Sequence, residues 1–292
     1  MRQPTIEWQV CGHCNYDCSY CIQSKSARVG HPSPEEVAQF LAFFEALPGH
    51  WEIKMTGGEP FSFRSFMEHI IPGLVTRTRH TISVLTNLSA PLSILERFAR
   101  LTQGRLGIVS ASLHLEFISA AEFVQKAKAL RALIDPAARM VVNTVLVPGR
   151  LAEVREAEQL VQAAGLQLFP QVMKVKGGVA EYEAEDRLQI QELIGISPTP
   201  RQANTAPSYR GRSCYAGVEY FVLTQFGDGY SCRTARRFGQ GHLGNVFDNT
   251  LQLWHQPSPC PYDICPCTVP ANRGMIEGVG SGATLQVAED AS

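Results

Sequence analysis

Six short β-rich runs alternate with five amphipathic helical stretches over the first two thirds of the chain. That alternation narrows the possible folds more than any other feature. The runs cover residues 5–10, 51–56, 81–86, 106–112, 140–146 and 166–173, and the helical stretches lie near 34–47, 63–78, 92–101, 119–134 and 151–164. Ser33-Pro34-Glu35-Glu36 supplies an N-cap, a proline at the first helical position and acids in the first turn. Gly165 follows the fifth helix as a stop. Such alternation predicts parallel βα units. Six units fall short of a closed eight-stranded barrel, which leaves an α/β fold built as an open or partial barrel or as a doubly wound sheet. In either, ligands gather at the C-terminal ends of the strands.

The pattern then breaks. Residues 176–180 read as a loop, 183–193 as one more helix and 197–212 as a connector rich in Pro, Ser, Gly and Arg. A hairpin is expected next, with strands over 219–223 and 230–232 and a turn at Gly227-Asp228-Gly229. Residues 249–255 suggest a short helix, and 274–292, rich in Gly and Ala, a loose tail. The expected organisation is a barrel over 1–196, a small α+β extension over 197–273 and the tail over 274–292.

Composition excludes several functions. The 292 residues are 45% hydrophobic and 18% charged, with a net charge of −1. That balance suits a buried core and gives no basic face for a nucleic-acid backbone. No apolar run approaches the roughly 20 residues that span a bilayer. The start, MRQPTIEWQV, lacks the layout of a signal peptide, so a cytoplasmic location is expected.

The nine cysteines are unevenly placed: four between Cys11 and Cys21, five between Cys214 and Cys267, and none between. Cysteines used as small hydrophobes would be scattered, and structural disulfides are rare in a reducing cytosol, so metal or catalytic use is the better reading. The first group reads Cys11-Gly-His-Cys14-Asn-Tyr-Asp-Cys18-Ser-Tyr-Cys21 and leaves the first strand where a βα loop should emerge. Cys14, Cys18 and Cys21 could face a core from a helix, but Gly12, Asn15, Asp17 and Ser19 are poor helix-interior residues. Zinc would need a fourth ligand, for which His13 or Cys11 is available. A [4Fe–4S] cluster normally takes four cysteines; three would leave one iron open to a chelating ligand.

Cys-x3-Cys-x2-Cys, with Tyr20 just before the last cysteine, resembles the signature of the radical S-adenosylmethionine (radical SAM) superfamily. The resemblance implies a partial six-unit (β/α) barrel and a [4Fe–4S] cluster on Cys14, Cys18 and Cys21. It also implies reductive cleavage of SAM to a 5′-deoxyadenosyl radical that abstracts hydrogen from a substrate. Thr56-Gly57-Gly58-Glu59-Pro60, closing the second strand, resembles the family's GGEP motif, which contacts the SAM amino group. On residues alone, the two glycines admit a ligand to the backbone and Glu59 can accept from an ammonium. On the fourth run, strand periodicity sets Ser110, Ser112, His114 and Glu116 on one face and Ala111, Leu113 and Leu115 on the other. The resemblance places Ser112, and more weakly Asn143, near SAM, and His114 and Glu116 near the substrate as candidate catalytic residues. Some relatives carry an arginine after the fourth strand near the SAM carboxylate; Lys126, Lys128 and Arg131 lie there, and no motif selects one of them.

The second group comprises Cys214, Cys232, Cys260, Cys265 and Cys267. With Asp228-Gly-Tyr-Ser-Cys232 and Leu243-Gly-Asn245, it resembles the SPASM and twitch extensions that carry auxiliary iron–sulfur clusters. Five cysteines suit one auxiliary [4Fe–4S] cluster, with which four ligate left open, and Cys11 is expected to be a buried strand residue. The implied activity is that of an oxidoreductase or maturase on a peptide, protein or small molecule, with an electron donor such as flavodoxin or ferredoxin. The first strand begins near the first residue, so no leader-binding domain is expected ahead of it. The alternative is a zinc-stabilised binding protein without redox chemistry.

Overall fold

The computed structural model describes residues 2–23, 28–175, 178–194, 208–263 and 268–279. The barrel elements are β1 (Thr5–Cys11), α1 (Pro34–Ala46), β2 (Glu52–Gly57), α2 (Ile71–Arg77), β3 (Thr81–Thr86), α3 (Leu92–Leu101), β4 (Leu106–Leu113), α4 (Ala120–Leu133), β5 (Arg139–Leu146), α5 (Leu151–Ala163) and β6 (Leu168–Val172). A small β7 (Lys174–Val175) and β8 (Gly178–Val179) pair occupies part of the expected loop, and α6 (Ala184–Ile194) follows. β1 to β6 lie side by side in sequence order and all pair in parallel. Right-handed crossovers in one direction put every helix on one face, so the order excludes a doubly wound sheet and leaves the partial barrel.

Local signals account for the helix ends. Ser33 caps α1 through a reciprocal box: Glu36 N–H donates to Ser33 Oγ at 3.2 Å and Ser33 N–H to Glu36 Oε2 at 2.7 Å. Ser119 caps α4 in the same way on one side. The second helix is irregular. A π turn over Phe66–Ile70 precedes α2, where Pro72 has no N–H for the preceding carbonyls.

The two faces of the sheet differ in chemistry. On the convex face, Trp8 of β1 meets Phe40 and Phe44 of α1 at ring distances of 4.8 and 5.0 Å. On the concave face of the same strand, Glu7 and Gln9 are buried among polar partners.

The extension does not stand apart. Its elements are β9 (Ser213–Cys214), β10 (Tyr220–Leu223), β11 (Asp228–Tyr230), α7 (Arg233–Arg237), β12 (His242–Asn245), β13 (Ser258–Pro259) and α8 (Thr268–Asn272). β10 pairs in parallel with β1, and β11 and β12 follow antiparallel, so one nine-stranded sheet crosses the expected boundary at residue 196. The hairpin forms, but Asp228 and Gly229 belong to β11 rather than to the turn. Thr224 closes that turn by accepting N–H bonds on its hydroxyl from Phe226 and Asp228 at 3.3 and 3.1 Å. Residues 249–255 are not helical. Asn249 takes φ +54°, and Gln252 N–H instead donates to the Leu243 carbonyl at 2.8 Å. Residues 274–279, expected to be loose, are docked: Met275 is fully buried, and its carbonyl accepts from Tyr215 N–H at 2.8 Å. Residues 197–207 and 280–292 of the predicted connector and tail lie outside the described residues.

Arg273, just after α8, straps the extension to the concave floor. It donates to both Glu52 carboxylate oxygens at 2.6 and 2.9 Å, and Ser83 Oγ donates to the same group at 2.7 Å. The two charged side chains are 10% and 1% exposed. Burial alone would raise the Glu52 pKa; the Arg273 and Ser83 bonds outweigh it and hold the carboxyl below its ordinary value. A depressed folded pKa contributes stability that is present at neutral pH and is lost as the pH falls through the ordinary glutamate range. Arg273→Met strands a buried carboxylate and is expected to cost about 3 kcal/mol in urea unfolding at pH 7. The cost should shrink below pH 4; a variant as stable as wild type at neutral pH would show that the strap carries no load.

Candidate functional site

The cysteine loop leaves the C-terminal end of β1 and is fixed by the ends of three neighbouring strands. Cys11 stays in the strand: it is fully buried, and burial first, then Glu59, push its thiol up to about 12. That agrees with a structural cysteine.

The turn after β2 packs directly on the loop. Gly58 N–H donates to the Cys11 carbonyl at 2.9 Å and Glu59 N–H to the His13 carbonyl at 3.0 Å. A Cβ on Gly58 would stand 1.7 Å from His13 O, and one on Gly57 (φ +153°) 2.3 Å from Cys11 O. The glycines therefore admit the protein's own loop. Glu59 is tied into the same junction. Its carboxylate is 1% exposed and accepts from Phe61 N–H (3.1 Å), Thr86 Oγ (2.8 Å) and Asn87 N–H (2.6 Å). These three bonds tie the turn to the end of β3. Pro60 opens the short 3₁₀ turn Pro60–Ser62 that Glu59 caps.

β4 closes the other side. Tyr20 Oη and His114 Nδ1 are 2.9 Å apart, and Cys18 Sγ lies 3.5 Å from the same nitrogen. Burial pulls the His114 pKa down to about 4 against the opposing pull of Glu116, so the ring is neutral near pH 7. Glu116 accepts from Ser19 N–H at 2.9 Å and Ser19 Oγ at 2.5 Å. Tyr16 stacks on Phe117 at 4.5 Å. His114 and Glu116 thus grip the cysteine loop.

Several residues with work at the site were missed from sequence. Asn87 Nδ2 donates to Asn15 Oδ1 at 3.0 Å, and Gln23 Nε2 to the Gly57 carbonyl at 2.9 Å. Asn87 follows the last residue of β3, so its position at a strand end was the available signal. Ser112 and Asn143 are direct neighbours in the β4–β5 register, both partly open, with Asn143 Oδ1 accepting from Gln171 Nε2 at 3.3 Å. Of the unassigned cations, Arg131 is spent on the Ala138 and Asp135 carbonyls, Lys128 is exposed, and Lys126 Nζ lies 3.3 Å from the Leu88 carbonyl.

Cys14 and Cys18 have raised pKa values, Cys18 up to about 12. Burial is the first cause for each, and for Cys18 the neighbouring Cys14 and Cys21 follow. Among the described residues no three His, Cys, Asp or Glu side chains converge closely enough to hold a metal ion. The donor set nevertheless fits an iron–sulfur group. Three thiols in one loop lie within each other's electrostatic reach, which disfavours thiolates until a cationic centre inverts the balance. Cys214, Cys232 and Cys260 form a second such set: the Cys214 thiol senses both others, and Cys214 packs with each of them in small clusters. Cys232 also caps α7, accepting from Ala235 N–H at 3.2 Å. Cys265 and Cys267 lie outside the described residues.

The radical SAM superfamily model matches residues 8–161. The chain belongs to the radical SAM superfamily. No curated protein matches it in sequence. Among solved structures it is similar to anSMEcpe with bound AdoMet (14% identity, 85% of this chain and 78% of that one, TM-score 0.59). It is also similar to Streptococcus suis SuiB bound to the precursor peptide SuiA (12% identity, 86% and 64%, TM-score 0.60). At these identities the likeness is one of fold. A [4Fe–4S] cluster and SAM come with membership of the superfamily, and no helix among the described residues is long and apolar enough to cross a membrane.

If His114 and Glu116 hold the loop, His114→Ala and Glu116→Ala should speed amide hydrogen exchange across residues 14–21 and lower retained iron. Wild-type exchange and iron in both variants would return these residues to a substrate role.

Proposed function

We propose that this chain reductively cleaves SAM at a cluster on Cys14, Cys18 and Cys21 and abstracts hydrogen from a peptide, protein or small-molecule substrate. A second cluster is held by four of Cys214, Cys232, Cys260, Cys265 and Cys267. The observation that carries the reading is the cysteine loop itself, held over the ends of β1 to β4 by hydrogen bonds from each neighbouring strand end. When bound, the cluster and SAM together supply the radical that removes a substrate hydrogen.

The chain's own residues do the rest. Gly57 and Gly58 bring the β2 turn against the loop, and Glu59 fixes that turn to β3. Tyr20, His114, Ser19 and Glu116 hold the far side of the loop. Ser112 and Asn143, on the open face of adjacent strands, are suited to SAM hydroxyl and carboxylate groups. Cys214 and Cys232 pack on a cluster that includes Tyr220 and Val222 of β10, the strand beside β1, which supports a twitch-like auxiliary cluster over a separate zinc module. A peptide substrate is favoured by two structures of similar fold, anSMEcpe with bound Cp18Cys peptide and SuiB with SuiA. An electron donor such as flavodoxin or ferredoxin and a cytoplasmic setting complete the proposal.

Protein purified without oxygen is expected to be brown and to hold about eight irons when both sites are filled. Replacing Cys14, Cys18 and Cys21 together by Ala should abolish 5′-deoxyadenosine formation and leave about four irons. Cys232→Ala should also leave about four irons but retain part of the SAM cleavage while losing substrate conversion. Deoxyadenosine from the triple variant would overturn the first assignment. Stoichiometric zinc in the wild type, with iron unchanged in Cys232→Ala, would overturn the second.

A further inference from the structure

The concave seam between β1 and the extension carries charge that the roles above leave unused. At its centre Glu7 is closed: Arg233 donates to both its oxygens at 2.9 and 3.2 Å, and the Tyr220 hydroxyl donates to one of them. Two residues on, Gln9 is only 6% exposed and its Oε1 accepts from Arg236 Nη1 at 3.0 Å. The other end of that amide, Nε2, is buried with no acceptor among the described residues. Such an orphan donor inside a fold calls for a partner.

Arg236 is incompletely used in the same way. A guanidinium offers five N–H donors, and the bond to Gln9 takes one. No carboxylate among the described residues lies within ion-pairing distance of it. Burial is the largest influence on its pKa, which it lowers, and the neighbouring charges of Arg233 and Asp228 act on it as well. Lys54, which faces Glu7 across the β1–β2 register, acts on both Glu7 and Glu52 yet forms no ion pair of its own among the described residues. The seam thus sets Lys54, Arg233, Arg236 and Arg273 against Glu7, Glu52 and Asp228, with positive charge still in excess. The place is also apt. Gln9 lies two residues before Cys11, where the first cysteine loop departs, and Arg236 lies on the helix that Cys232 caps.

We propose that Arg236 and the Gln9 amide form a subsite for a carboxylate of the substrate, on the concave face between the two cysteine groups. The inference rests on the radical SAM reading above and deepens it: the substrate bears an acidic side chain or a free acid terminus. A planar fork with a neighbouring amide N–H matches a carboxylate edge, and Arg236 is pre-set by its bond to Gln9 and by the Tyr230 ring 5.9 Å away.

The test uses the full cluster-loaded chain, with SAM and without reductant, so binding is read apart from SAM cleavage. The probes are acetyl-Gly-Glu-amide and acetyl-Gly-Gln-amide, alike in shape and different in one charge. Wild type should bind the Glu peptide at least about tenfold more tightly, as a charge-assisted bond allows. Arg236→Gln should remove the preference. Gln9→Glu should remove it too, because it gives Arg236 a carboxylate within the chain, and the circular dichroism of both variants should match wild type. No preference in wild type, or a preference that survives both substitutions, overturns the subsite. SAM titrated into Arg236→Gln separates the other source of a carboxylate: a tenfold or greater loss of SAM affinity would assign the subsite to SAM and overturn the substrate reading. Deoxyadenosine formation by wild type, assayed separately, reports on the radical SAM reading alone.

Discussion

The site depends on one buried carboxylate. Glu59 joins three strand ends: its backbone N–H holds the loop from β1, its own turn closes β2, and its carboxylate takes the donors that end β3. Asn87, fixed by that carboxylate, then reaches back to Asn15 in the cysteine loop. Three donors favour the ionised form, yet burial wins and pushes the Glu59 pKa up to about 7. The folded chain then holds this proton more tightly than the unfolded one. Linkage makes the contribution of Glu59 less favourable as pH rises through the interval from its ordinary value to about 7. The junction is thus maintained against an electrostatic cost, and no apolar residue could cap the turn and end β3 at once.

What was legible in the sequence was local. The strand–helix alternation, the Ser33 cap and the spacing of Cys14, Cys18 and Cys21 are written in runs of a few residues, and the fold follows from the alternation. What was not legible depends on contacts distant in sequence. The pairing of β10 with β1 joins segments more than two hundred residues apart, and Arg273 meets Glu52 across a similar gap. Residue type misled where its use depends on a neighbour. Gly57-Gly58 signals a close approach whichever backbone arrives, and only the fold shows that it is the loop of His13. Periodicity put His114 and Glu116 on the concave face of β4, but the strand ends at Leu113, so both follow a turn back to the loop. In 249–255 the expected helix is replaced by a loop whose Gln252 N–H reaches the Leu243 carbonyl of β12.

The seam between barrel and extension divides its labour by face. On the convex side β10 is apolar: Phe221 sits against Trp51 and Phe43 at ring distances of 5.9 and 6.2 Å, and Leu223 is fully buried. Area burial of that kind, at about 25 cal/mol per Å², is enough to hold two strands together. The concave side of the same joint is built from Glu7 with Arg233, Gln9 with Arg236 and Glu52 with Arg273. Buried ion pairs seldom stabilise a protein more than apolar groups of equal volume, so adhesion alone does not account for them. They do keep a wall of fixed dipoles and charges beside both cysteine groups, and such a wall orients polar ligands without having to reorganise. The adhesive side and the chemical side of the joint are therefore opposite faces of the same strands, and the alternation of side chains along β1 and β10 keeps them apart.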